Sequence, residues 1–71
     1  MVTAPHVAGA LARLTIFDVA GRRVATVRGR GGEQLIWERM DDAGSPVSTG
    51  VYLYRVEAGS QRQEGKFVVI R

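Results

Sequence analysis

Cysteine is absent from the 71 residues, which removes disulfide staples and thiolate metal sites at once. That absence fits a reducing cytosol or a bacterial surface protein that does without disulfides. His6 is the single histidine, and as a loop residue it reads as a solvated side chain. No run approaches the ~20 apolar residues of a membrane-spanning helix. The opening stretch MVTAPHVAGALARL has no basic leader, and Arg13 interrupts its weak apolar run, so it does not read as a signal peptide. An apolar period of 3.6 never survives beyond one turn, because Gly or Pro breaks every window, so no helix is expected. No internal repeat stands out.

What is present bounds the answer further. Seventy-one residues make one small domain over 1–71. A chain of this size buries only about 60% of its unfolded surface, so its core must come from packing alone or from a partner. Hydrophobic content of 45% argues against disorder. The net charge is +3, and all basic residues except Lys66 are arginines. A basic balance permits an anionic partner. The arginines are scattered and interrupted by acids, however, which reads as a solvated surface and not as a nucleic-acid patch.

Alternation then places the strands. Val2–Ala4 forms a short one, ended by Pro5, which has no N–H for a ladder. Leu11–Val19 puts Ala12, Leu14 and Ile16 on one face. Asp18-Val19-Ala20-Gly21 is a turn, with Asp18 accepting a backbone N–H and Gly21 free to take positive φ. Arg22–Arg28 returns, with a bulge or twist expected between Val24 and Val27. Gly29-Arg30-Gly31-Gly32 is a flexible loop, since neither a Lys-Ser/Thr pair nor a helix follows to make it a phosphate loop. Glu33–Glu38 is a third strand with Leu35 and Trp37 on one face. Met40–Ser45 is a turn formed by Asp42 and closed by Gly44. Pro46–Ser48 is a short edge segment, and Gly50 turns into Val51–Ala58, the strongest strand. There Tyr52, Tyr54, Val56 and Ala58 share a face. Gly59-Ser60 fits a two-residue type II′ hairpin, and the return strand runs from Gln61 through Lys66 to Arg71. Its flanking charges act as gatekeepers against aggregation. Strands joined by tight turns in this number imply a β-sandwich or small barrel.

The aromatic residues favour the sandwich. In immunoglobulin-type domains a tyrosine near the start of a late strand bonds back to upstream backbone, and a core Trp sits on an earlier strand. Here Tyr52 would be that corner, Tyr54 would stand in the cysteine position, and Trp37 would be the core Trp. The expected fold is an all-β, immunoglobulin-like antiparallel β-sandwich of about six to seven strands. Its core residues are Leu14, Ile16, Trp37, Tyr52, Tyr54 and Val56.

At these residues the chain resembles a known family. Phe17-Asp18-Val19-Ala20-Gly21-Arg22-Arg23-Val24 is similar to the hairpin of C-terminal sorting domains of the bacterial type IX secretion system. The same hairpin occurs in the related immunoglobulin-like domain of flagellar hook-capping proteins. Trp37, then Asp41 through Val56, resembles the family's second signature, and Ala58-Gly59 with Lys66–Arg71 resembles its last hairpin and basic end. The resemblance spans residues 11–71. Two departures stand out. Glu38-Arg39 occupy the place of the family's Asp-Gly, so that turn is expected to differ. The first strand also looks truncated, which predicts weakened stability or edge-strand self-association.

The resemblance implies a non-catalytic address label on a longer secreted protein. It would direct covalently linked cargo through the periplasm and an outer-membrane translocon to the cell surface. The residues implied in recognition are Lys66, Phe67, Val68, Val69, Ile70 and Arg71. A structural or assembly module of the same fold is the first alternative, and a small nucleic-acid-binding β-barrel the second. The barrel would need exposed aromatics beside a basic groove, whereas Trp37, Tyr52 and Tyr54 are better used in a core. No cofactor is expected. Asp41-Asp42 lacks the spaced oxygen ligands of a calcium site, so no metal is expected either. His6, Ser48 and Asp18 could be written as a triad, but no motif joins them.

Overall fold

Alternation along two long strands decides the architecture. The computed structural model describes residues 2–7 and 9–70. Within them lie β1 (Val2–Thr3), β2 (Leu11–Phe17), β3 (Arg23–Arg30), β4 (Gln34–Leu35), β5 (Gly50–Ala58) and β6 (Gln61–Val69), with no helix. In β2, Ala12, Leu14 and Ile16 are buried; in β5, Tyr52, Val56 and Ala58 are buried from the same side. Two antiparallel sheets result. The larger has the order β3-β2-β5-β6, and the smaller pairs β1 with β4.

The core sits between these layers. Leu14, Ile16 and Val56 are wholly buried, and Val69, Trp37 and Tyr52 nearly so. Each aliphatic side chain taken fully out of water contributes about 1.5–3 kcal/mol. Trp37 meets Tyr52 edge-on, with ring centroids 5.3 Å apart, and meets Phe67 at 5.5 Å. Phe67 in turn lies 5.0 Å from Tyr54, so the aromatics form one continuous stack beneath the large sheet. Two-residue strands cannot cover nine-residue ones. The rest of the cover comes from Ala4, Trp37 and Val47, which lie on connecting segments. Gln61 and Gln63, on the inner face of β6, remain exposed.

Several boundaries differ from the alternation-based expectation, each for a local reason. The third strand contracts from Glu33–Glu38 to Gln34–Leu35. Beyond Leu35 the indole Nε1 of Trp37 donates to Met40 O at 2.8 Å, and Arg39 turns the chain with φ +61°. The second long strand runs from Arg23 to Arg30, taking in the first half of the expected Gly-rich loop. Gly29 fits there because the Leu35 side chain lies over it, where an added Cβ would stand 2.5 Å from Leu35 Cδ2. The irregularity falls at Val24, between the pairs Phe17↔Arg23 and Ile16↔Ala25; from Ala25 to Val27 the ladder is regular. Pro46–Ser48 contributes only a single bridge, Pro46 to Met40. Gly50 lies in β5 opposite Val69, with no positive φ, so it opens a strand and does not form a turn. The Gly59-Ser60 hairpin is as expected: Ala58 pairs with Gln61, and Gly59 has φ +58° while Ser60 does not go positive, the type II′ pattern.

Candidate recognition edge

The last strand divides its residues between two tasks. Phe67 and Val69 face inward, Phe67 onto the aromatic stack and Val69 into the core. Lys66, Val68 and Ile70 face away, and Val68 and Ile70 are 62% and 77% exposed. Arg71 lies outside the described residues. Alongside on β5, Val51 pairs with Val68 and Leu53 with Lys66, leaving an apolar corner on the outer face. The remainder of that face is a ladder of charges. Arg13 meets Glu57 at 3.5 Å and Arg55 meets Glu64 at 3.6 Å. At that distance Arg55 Nε has an ion pair but no hydrogen bond, although the atom is buried; its guanidinium also lies 5.6 Å over the Phe17 ring. These pairs are largely solvated and stabilise the sheet little.

The two edges of the large sheet are treated differently. On β3, Asp42 behaves as a one-residue strand. Its N–H donates to Val24 O at 3.0 Å, and its Oδ1 accepts from Thr26 N–H at 3.0 Å. Further along, Glu33 Oε1 accepts from Arg30 N–H at 2.7 Å, and Glu33 N–H donates to Arg30 O at 3.1 Å. Asp42 and Glu33 thus take the N–H groups of Thr26 and Arg30 and the carbonyls of Val24 and Arg30, four of the outward groups that an incoming strand would need. On β6, nine residues pair with β5 without a register shift. Among the described residues, nothing pairs with the opposite side of β6.

Two loops at the junctions share one construction. Asp18 Oδ1 accepts from the N–H groups of Ala20 and Arg22, both at 3.0 Å. Asp41 Oδ1 does the same for Ala43 and Ser45, at 3.0 and 2.9 Å. In each loop the Asp N–H donates to the carbonyl four residues on, the Gly N–H donates back to the Asp carbonyl, and Gly has φ near +85°. The chain therefore carries the motif Asp-x-Ala-Gly twice, at 18–21 and 41–44. That spacing was the available signal for a repeat. It also corrects the assignment of the second turn: Asp41 closes it with Gly44, and Asp42 is freed to cover β3. Arg22 adds an ion pair to Asp18 Oδ2 at 3.0 Å. The Arg22 backbone N–H, helped by its guanidinium and by Ala20 N–H against some desolvation, lowers the Asp18 pKa below its ordinary 3.8.

Tyr52 forms the expected corner, its hydroxyl donating to Ser48 O at 2.7 Å. Arg39 takes a left-handed conformation at the position where the resembled pattern has glycine. The residues of a conceivable triad are not brought together. Asp18 and Ser48 line one shallow cleft near Tyr52. His6 lies against Gly32, at the other end of β2. A seven-residue strand separates them by about 23 Å. No family model, curated protein or solved structure matches this chain.

Proposed function

We propose that this domain is a non-catalytic sorting module: as part of a longer bacterial protein, it directs linked cargo through a type IX-like outer-membrane system to the cell surface. The observation that carries the reading is the Tyr52 corner, with its hydroxyl bonded to Ser48 O in the segment that resembles the family's second signature. Arg39 supports it, since it holds the left-handed φ that the resembled Asp-Gly turn calls for. The open length of β6 suits recognition by strand addition, in which main-chain bonds supply affinity and alternate side chains supply selectivity. Lys66, Val68 and Ile70 are the side chains offered to such a partner.

The same edge suits an assembly role of the hook-capping kind, which needs no translocon. One experiment separates the two. The segment is fused to the end of a reporter and expressed in a host carrying the translocon. Surface display that is lost when the outward Lys66, Val68 and Ile70 are replaced in a fusion that still folds supports sorting. A folded fusion that stays in the periplasm supports assembly and removes the sorting reading.

A further inference from the structure

The contrast between the two sheet edges asks what covers β6. An unshielded, unbulged edge of nine residues is a template for another strand. The charge sequence of β6 selects that strand.

Two copies of one strand paired antiparallel lie about a two-fold axis. Opposed residues must either both present N–H and C=O to the neighbour or both turn away. Only registers that oppose residues of the same face are therefore allowed. Arg62, Glu64, Lys66 and Val68 share the outer face of the sheet. With the axis at residue 65, all nine residues of β6 overlap. Glu64 of each copy then faces Lys66 of the other, and Arg62 faces Val68. On the inner side Gln63 faces Phe67 and Gln61 faces Val69.

Neighbouring registers are worse. Moving the axis to residue 64 opposes Glu64 with Glu64 and Arg62 with Lys66. Moving it to 66 opposes Lys66 with Lys66. An axis at 63 restores Arg62–Glu64 pairs but leaves Lys66–Val69 without a partner strand. An axis at 67 keeps no opposite-charge pair at all.

Gly65 suits the axial position. Tyr54 lies directly over it, and an added Cβ would stand 2.5–2.7 Å from three atoms of the phenol. The ring shields an edge glycine that has no side chain of its own. Glu64 already pairs with Arg55 on its own sheet, so the second copy's Lys66 completes an alternating row Arg55–Glu64–Lys66 across the junction.

We propose that β6 pairs antiparallel with β6 of a second copy of this chain, with Gly65 on the two-fold axis and reciprocal Glu64–Lys66 pairs beside it. The two four-stranded sheets become one of eight strands. This inference goes beyond the sorting reading and does not rest on it, although both use the open side of β6, so a strand-adding partner would have to displace the second copy. Failure of surface display leaves the dimer intact, and a monomeric chain leaves the display result intact.

Sedimentation equilibrium on the 71-residue chain provides the test, with Trp37 fluorescence confirming that each variant is folded. The native chain dimerises. Glu64→Lys alone sets lysine against lysine, and Lys66→Glu alone sets glutamate against glutamate. Each single variant weakens self-association on the order of tenfold, because two cross-strand pairs change from attraction to repulsion. An equimolar mixture of the two variants regains native affinity, since every axial pair is again of opposite charge. Elevated salt narrows these differences. A native chain that stays monomeric overturns the proposal and leaves β6 to a foreign strand. A dimer indifferent to both substitutions, or a mixture no tighter than its components, overturns it as well.

Discussion

Arg39 offers the sharpest test of how this chain folds. Its φ of +61° is the sole positive value among described residues other than glycine. A left-handed conformation costs a residue with a Cβ about 1–2 kcal/mol. Arg39→Gly removes that penalty but restores flexibility to the unfolded chain, which costs about 0.5–1 kcal/mol. The expected net gain is about 0.5–1 kcal/mol. For a domain of this length that raises Tm by about 3–6 °C. The main-chain bond from Val47 N–H to Arg39 O, 3.0 Å, needs no side chain and is retained. Arg39→Ala is the control, because it removes the same guanidinium and keeps the strain. Urea unfolding followed by Trp37 fluorescence should place the glycine variant about 1 kcal/mol above the alanine variant, with equal m values. If the two coincide, Arg39 is not strained, and the argument that this turn asks for glycine is wrong.

Tyr52→Phe removes the hydroxyl that donates to Ser48 O and should cost about 1 kcal/mol in urea unfolding, with no change in the far-ultraviolet dichroism of the strands. Gly65→Ala forces a methyl against the Tyr54 ring and should cost about 1–3 kcal/mol; in a Tyr54→Ala background the added loss shrinks, so a double-mutant cycle shows strong non-additivity. Asp18 has a lowered folded pKa, so the stability it contributes is fully present above its ordinary 3.8 and is lost as pH falls through the lower folded value. A pH series of unfolding midpoints should therefore slope less steeply below 3.8 for Asp18→Asn than for the native chain.

The strands β2 and β5 are legible in the sequence because apolar residues recur at every second position of one face. Ala12, Leu14 and Ile16, and later Tyr52, the half-buried Tyr54, Val56 and Ala58, each skip one residue and meet one core. The corner tyrosine could be read for the same reason: its place at the start of β5 fixes what its hydroxyl can reach. What escaped was decided by side chains acting as backbone. Trp37 looked like a strand residue, yet its indole N–H satisfies a carbonyl three residues on and takes the chain out of the ladder. Asp41 and Asp42 are adjacent and chemically identical, and only the distance to Val24 and Thr26 assigns one to the turn and the other to β3. The glycine neighbours of Arg30 point to a loop, but Glu33 and the pairing with Leu11 hold it in the sheet. The recognition stretch is apolar on both faces, so alternation does not say which of its residues turn inward; pairing opposite Tyr52 and Gly50 puts Phe67 and Val69 there. Which side of β6 stays bare depends on strand order, and sequence pattern carries no record of that.

The carboxylates along β3 set a limit on growth. A sheet bare at both margins could add copies without end, as fibrils do. Here two acidic residues interrupt the β3 flank of every copy, so growth past a pair joined through β6 is disfavoured. Taking away Asp42 and Glu33 would then do more than loosen a loop, because it would bare a second flank to further copies.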